Sequence, residues 1–289
     1  ELAKAGQFDD ALNVAGSISD DSDKASALSD IASELAKAGQ FDKALTVAGS
    51  ISDDSDKASA LRYIASELAK AGQFDKALNV AGSISHDYYK AFTLKNIASE
   101  LAKAGQFDDA LNVAGFIYDD DDRDDTLKDI AVELAKAGQF DKAFDVARFI
   151  YDNDDRDDTL RYIASELAKA GQFDKAFDVA MSISDDSDKA WALYVIAVEL
   201  AEAGQFDKAV NAAGSISDDF YKASALSSIA SELDKAGQTQ KALQIFDKAV
   251  NAAGSITRDY SKAYALRDIA VELAKAGQFD KAINLINKK

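Results

Sequence analysis

Nine residues, Glu34-Leu35-Ala36-Lys37-Ala38-Gly39-Gln40-Phe41-Asp42, return along the chain as near-copies beginning at Glu1, Glu67, Glu100, Glu133, Glu166, Glu199, Glu232 and Glu272. The step is 33 residues each time except the last, which is 40. A fixed period in this range means one supersecondary unit, too thin to bury its apolar face alone, that must stack on its neighbours. Length then stops being a guide to domain number. A chain of 289 residues would ordinarily suggest two domains, but an array grows by addition, so a single array over 1–289 is expected.

Within one period the apolar spacing is helical. After Asp20-Asp21-Ser22-Asp23, apolar residues fall at Ala25, Leu28, Ile31, Ala32 and Leu35, which line one face of a helix. Ser22 or Asp23 is the expected N-cap, and Gly39 can adopt the left-handed conformation that ends the helix. Glu34 and Lys37 form an i,i+3 pair with the acid on the N-terminal side. Gln40 leads into a second helix with Phe41, Ala44, Leu45, Val47, Ala48 and Ile51 facing inward. Alanine recurs in one register from Ala32 to Ala270 and in another from Ala44 to Ala282, where small side chains let helices approach closely. The pattern predicts about nine antiparallel helix pairs, the first truncated. All 15 glycines belong to it, nine in the turn and six late in the second helix, where Arg148 and Met181 stand in other copies. The one irregularity lies within 238–256. There Asp247 to Ile256 duplicates Asp207 to Ile216, and seven extra residues, about two helical turns, predict a longer second helix rather than a break.

Composition removes several classes of function. Cysteine is absent, which excludes disulfides, thiolate metal sites and Cys nucleophiles, and fits a reducing compartment such as the cytoplasm. Proline is absent too, as suits a nearly all-helical chain. A net charge of −18 disfavours nucleic acid and anionic lipid, and no apolar run is long enough to span a membrane. The chain opens without Met, inside a repeat and without an apolar leader, and reads as a fragment.

Leu28, Ile31, Ala32, Leu35, Gly39, Phe41 and Ala44 stand in the order and spacing of a tetratricopeptide repeat, and the chain resembles that family throughout its length. Ala242, Phe246 and Ala249 in the long unit match its second helix best. Ala48 stands where the family has Phe, Ile51 where it has Ala and Asp56 where it has Pro, and each unit is one residue short. The resemblance implies an all-α, right-handed superhelical solenoid that binds protein partners, with the first helices lining a concave groove. Ala-Lys-Ala-Gly followed by Lys-Ala-Leu also resembles the pentatricopeptide repeats, which bind single-stranded RNA, but those run longer and the acidity here opposes that function.

Carried onto this chain, the groove registers read Ser29, Arg62, Lys95, Lys128, Arg161, Tyr194, Ser227 and Arg267 and, a turn earlier, Ser26, Ser59, Phe92, Asp125, Asp158, Trp191, Ser224 and Tyr264. Lysines from Lys37 to Lys275, with Glu202 among them, follow near the helix end. The expectation is a basic stripe with aromatic anchors that takes an acidic peptide, carried by Arg62, Lys95, Lys128, Arg161, Trp191, Tyr194, Phe92, Tyr264 and Arg267. The plainer reading has these as solvated helix residues paired with Glu34-type neighbours.

No catalytic constellation stands out. The dense acid of Asp119–Asp125 and Asp152–Asp158 could hold Ca²⁺, but no central glycine or closing glutamate is present, and helix capping is the simpler role. His86 sits in a loop without a nucleophile, and no glycine is left over for a phosphate loop. The sequence therefore predicts a non-enzymatic interaction scaffold without cofactor or metal. Its rival is architectural: units so alike expose ends that resemble their own interiors, so chains could stack head to tail.

Overall fold

In the computed structural model, residues 1–287 are described, and among them every regular element is an α-helix. Contacts group the chain into two compact units, Glu1–Ala137 with Phe149–Asp152, and Gly138–Arg148 with Asn153–Lys289. The first unit holds α1 (Phe8–Gly16), α2 (Asp21–Lys37), α3 (Phe41–Gly49), α4 (Asp54–Lys70), α5 (Phe74–Gly82), α6 (Asp87–Lys103), α7 (Phe107–Ala114) and α8 (Asp120–Lys136). The second holds α9 (Phe140–Ala147), α10 (Asn153–Lys169), α11 (Phe173–Met181), α12 (Asp186–Glu202), α13 (Phe206–Gly214), α14 (Asp219–Lys235), α15 (Thr239–Ser255), α16 (Asp259–Lys275) and α17 (Phe279–Asn287). Even-numbered helices are the first helices of the repeat and odd-numbered ones the second.

Each first helix is 17 residues long and ends for a local reason. Gly39 has φ +73°, a conformation that a Cβ would strain, and the chain reverses there. The Gln40 amide then donates to the Leu35 carbonyl at 2.9 Å and Gly39 to Ala36 at 2.9 Å, satisfying carbonyls that the helix end would otherwise orphan. The same positive φ recurs at all nine turn glycines. The helix starts earlier than Ser22 or Asp23 would place it. The N-cap is Asp20, whose carboxylate accepts from the amides of both Ser22 and Asp23 at 3.0 Å; Asp185 does the same, and Asp53, Asp119 and Asp218 cap their helices by accepting from one amide each. Asp outcompetes its neighbours because it alone stands one residue before the helix, in extended backbone, with an oxygen in reach of a free amide of the first turn.

The stacking follows the alanines. Ala32, Ala44, Ala48 and Leu35 are wholly buried, as are their counterparts Ala65, Ala77, Ala81 and Leu68. First helices pack on first helices, α2 on α4 on α6 on α8 in one unit and α10 on α12 on α14 on α16 in the other, and each second helix lies against the first helix that follows it, as α3 does on α4. Phe41 and Leu45, expected inward, are only half-buried. The seven extra residues leave α15 unbroken: it runs 17 residues against nine in α13, and buries Ala242, Ile245, Phe246 and Ala249.

Two units of sequence depart from alanine at the register of Ala25. Asp124 and Asp157 stand there, nearly inaccessible to water. One oxygen of Asp124 accepts from the amides of Tyr151 at 2.9 Å and Asp152 at 2.7 Å, and Asp157 accepts likewise from Ser184 at 3.0 Å and Asp185 at 2.7 Å. The carboxylate thus ties down the loop of the next pair, which offsets its desolvation. Asp124→Ala restores the alanine of the other copies yet frees those two amides; hydrogen exchange at Tyr151 and Asp152 should quicken about tenfold or more, the loss of one charge-assisted bond. Unchanged exchange there would mean that the carboxylate does not hold the loop.

Candidate partner-binding surfaces

The basic register of the first helices is turned onto the protein itself. Lys95 lies 2.6 Å from Asp125 and 3.9 Å from Asp122, both on α8. Arg161 reaches Asp158 at 2.6 Å on its own helix and Asp188 at 3.3 Å on α12, with its guanidinium 4.9 Å from the Trp191 ring. Arg62 lies over Tyr63 at 4.2 Å and spans to Phe92 at 5.1 Å and Tyr89 at 5.8 Å on α6. Lys128 is half-buried and engaged as well. Arg267 pairs with Asp268 at 2.8 Å and sits 4.0 Å over Tyr264; these two are exposed. The structure brings each of Arg62, Lys95 and Arg161 against the helix 27 and 30 residues further on, where it joins one helix pair to the next.

The lysines near the helix end are also paired. Lys37, Lys70, Lys103, Lys136, Lys169, Lys235 and Lys275 each reach the glutamate three residues before at 2.5–2.8 Å. The hydrogen bond to that glutamate holds Lys37, Lys103 and Lys169 above the usual lysine range. Helix α12 is the exception. Glu202 occupies the lysine position, so Glu199 and Glu202 face each other three residues apart, and neither makes an ion pair among the described residues. Burial, and then the Glu202 charge, push the Glu199 carboxyl above its ordinary value.

Beside this break the first helices of the second unit open into a cleft of about 550 Å³ across α12, α14 and α16. Tyr194, Phe220 and Tyr221 form one wall, with the Tyr194 and Tyr221 rings 6.0 Å apart. Val198, Ala265, Ile269 and Val271 add apolar lining. Ser224, Ser227, Ser228 and Ser231 line it from α14. Glu202, Glu232, Lys235, Asp268, Glu272 and Lys275 make the rim. Ser224 donates to the Phe220 carbonyl at 2.9 Å and Ser231 to Glu272 at 2.8 Å. Burial raises the Glu272 carboxyl, but hydrogen bonds from Lys275 and Ser231 outweigh it and leave it below its usual value. Ser227, only 5% exposed, has a hydroxyl with no partner.

Of the nine residues expected to carry the ligand, Tyr194 alone lines this cleft; Ser224, Ser227, Glu202, Lys235 and Lys275 join it from the same groove registers. The signal that finds Glu202 is departure from the repeat, glutamate for lysine; Ser224 and Ser227 stand at the groove registers as Ser26 and Ser29 do on α2, so nothing in the repeat marks them. A second departure is apolar. Phe116 and Tyr118 replace the serines that flank Ile51, Phe149 and Tyr151 do so one repeat later, and all four stand out from the surface, Tyr118 at 91% exposure. Tyr88, Phe116 and Tyr118 border a shallow pocket with Asp87, Asp119 and Asp122. The acid of Asp119–Asp125 goes to capping, to Arg123 and Lys95, and to the loop amides.

Arg161→Ala should lower the melting temperature, by the ~1–2 kcal/mol of a desolvated cation–π contact with a partly exposed ion pair. An arginine reserved for a ligand would leave melting unchanged, and that result would return the basic register to the binding surface.

No family model matches the chain, and no curated protein does. Among solved structures it is similar to Ton1535 from Thermococcus onnurineus NA1, at 18% identity over 99% of this chain and 97% of that one, with a TM-score of 0.30. It is also similar to the structure described as "MamA MSR-1 C2", at 20% identity over 57% of this chain and 94% of that one, TM-score 0.28. A third is a circular tandem repeat protein with novel repeat topology and enhanced subunit contact surfaces, at 10% identity over 99% of this chain and 59% of that one, TM-score 0.13.

Proposed function

We propose that this chain is a protein-interaction scaffold of helical repeats that captures a segment of a partner protein on its first-helix surface. The observation that carries this reading is the cleft across α12, α14 and α16. It is concave, walled by aromatic rings and lined by small hydroxyl residues, one of them buried without a partner. Recognition sites combine apolar walls with a few polar groups in this way. The basic register supports the scaffold by locking consecutive helix pairs together.

Panning a display library of random dodecapeptides against the immobilised chain tests the reading. Ser224→Trp serves as the blocked control, since Trp191 occupies the same register one repeat earlier and the fold accommodates it. Peptides retained by the native chain and lost from the control are expected. A library that yields none dependent on the cleft removes it as the binding surface.

A second reading, head-to-tail association with another copy, is supported by α17. Phe279, Ile283 and Ile286 lie open on it, Ile286 at 65% exposure, whereas its register counterparts Ala48 and Ala213 are fully covered. In those interior pairs the following first helix does the covering. Light scattering should show mass rising with concentration, and Ile286→Glu should abolish the rise; a constant mass for the native chain would exclude stacking.

A further inference from the structure

We infer that the cleft across α12, α14 and α16 selects a basic segment: an extended stretch of partner chain that places an apolar side chain between the aromatic rings and an arginine or lysine on Glu202. This deepens the scaffold reading and rests on it.

The charge of the rim points to a cation. Glu232 is taken by Lys235 at 2.5 Å, Glu272 by Lys275 at 2.7 Å and Asp268 by Arg267 at 2.8 Å. Only on α12 is the lysine missing, and it is missing where Glu202 borders the cleft with Glu199 on the same helix. Seven other first helices solve the same local problem with a lysine. Here two like charges at i,i+3 oppose each other instead. Lys169 acts on Glu199 and Lys235 on Glu202 from the flanking helices, but each is bonded to its own glutamate. A further cation on Glu202 relieves the remaining repulsion. Stability forgone at one member of a repeat, and only there, is the mark of a position kept for binding.

The serine lining is independent of the charge. Ser227 is buried, its hydroxyl is unpartnered, and it lines the same cleft. A buried hydroxyl without a partner is a standing cost, and a main-chain group of a bound segment would satisfy it.

Dimensions favour an extended peptide over a small molecule. Along α12, Tyr194 and Glu202 are eight residues apart, or about 12 Å at the helical rise. The apolar anchor and the cation should therefore be separated by three or four residues.

The same dodecapeptide library supplies the probe. Peptides enriched on the native chain should carry arginine or lysine three or four residues from a Leu, Phe or Tyr. Resynthesised with a fluorophore, they should bind Glu202→Lys at least about threefold more weakly by anisotropy, the loss expected on reversing one charge of an exposed rim pair. That variant carries the residue found at this register elsewhere, so its melting temperature should not fall, which separates lost binding from lost fold. Cleft-dependent peptides without basic residues, or with unchanged affinity for Glu202→Lys, would overturn the inference and leave the scaffold reading intact. No cleft-dependent peptides at all would overturn both.

Discussion

The close approach of helices at two alanine registers is the constraint on which everything else depends. Where Ala32 and Ala44 and their counterparts lie, a side chain of any size would wedge the pair apart, and here every copy is buried. Packing interiors to crystal-like density leaves no room for exceptions. One helix pair has too little apolar surface to hold itself together. Its larger residues, such as Ile64, Leu68 and Ile97, are buried only because the next pair closes over them. Variation is then pushed outward, to the first-helix registers and to the loops, where the chain can differ from copy to copy without opening the core.

Much of this was legible in the sequence. The period, the pairing of helices, the glycine that reverses the chain and the alanine registers all follow from local spacing, because helix and turn are decided within a few residues. The place of the N-cap did not follow. Asp20, Asp21, Ser22 and Asp23 are all capable caps, and only the backbone shows which one stands just before the first turn. The engagement of the basic register with neighbouring helices did not follow either, for a related reason. Lys95 and Arg161 look solvated on their own helices, and their partners lie 27 and 30 residues away. That coupling is visible once sought: Arg62, Lys95, Lys128 and Arg161 are each followed at both distances by acid or aromatic residues, whereas Ser227 has no acid at either.

Repetition also changes how a binding site can be recognised. In an ordinary domain a lone glutamate on a helix says little. Here each position is measured against its own copies, so that Glu202 stands out among lysines and Tyr118 among serines. The chain supplies its own baseline, and what differs from it is where stacking no longer dictates the residue. Asp124 and Asp157 warn against equating difference with binding, because there the change serves the loop of the next pair.

The spans over which contacts form, about 27 to 34 residues for the ties between pairs, bear on how the molecule assembles. Nearly every stabilising contact is made within a turn of one helix or with the adjacent repeat, so little loop-closure entropy is spent before native contacts reward it. Folding can begin at any helix pair and spread in both directions. A chain that is still being synthesised can therefore hold its completed repeats folded while later ones emerge.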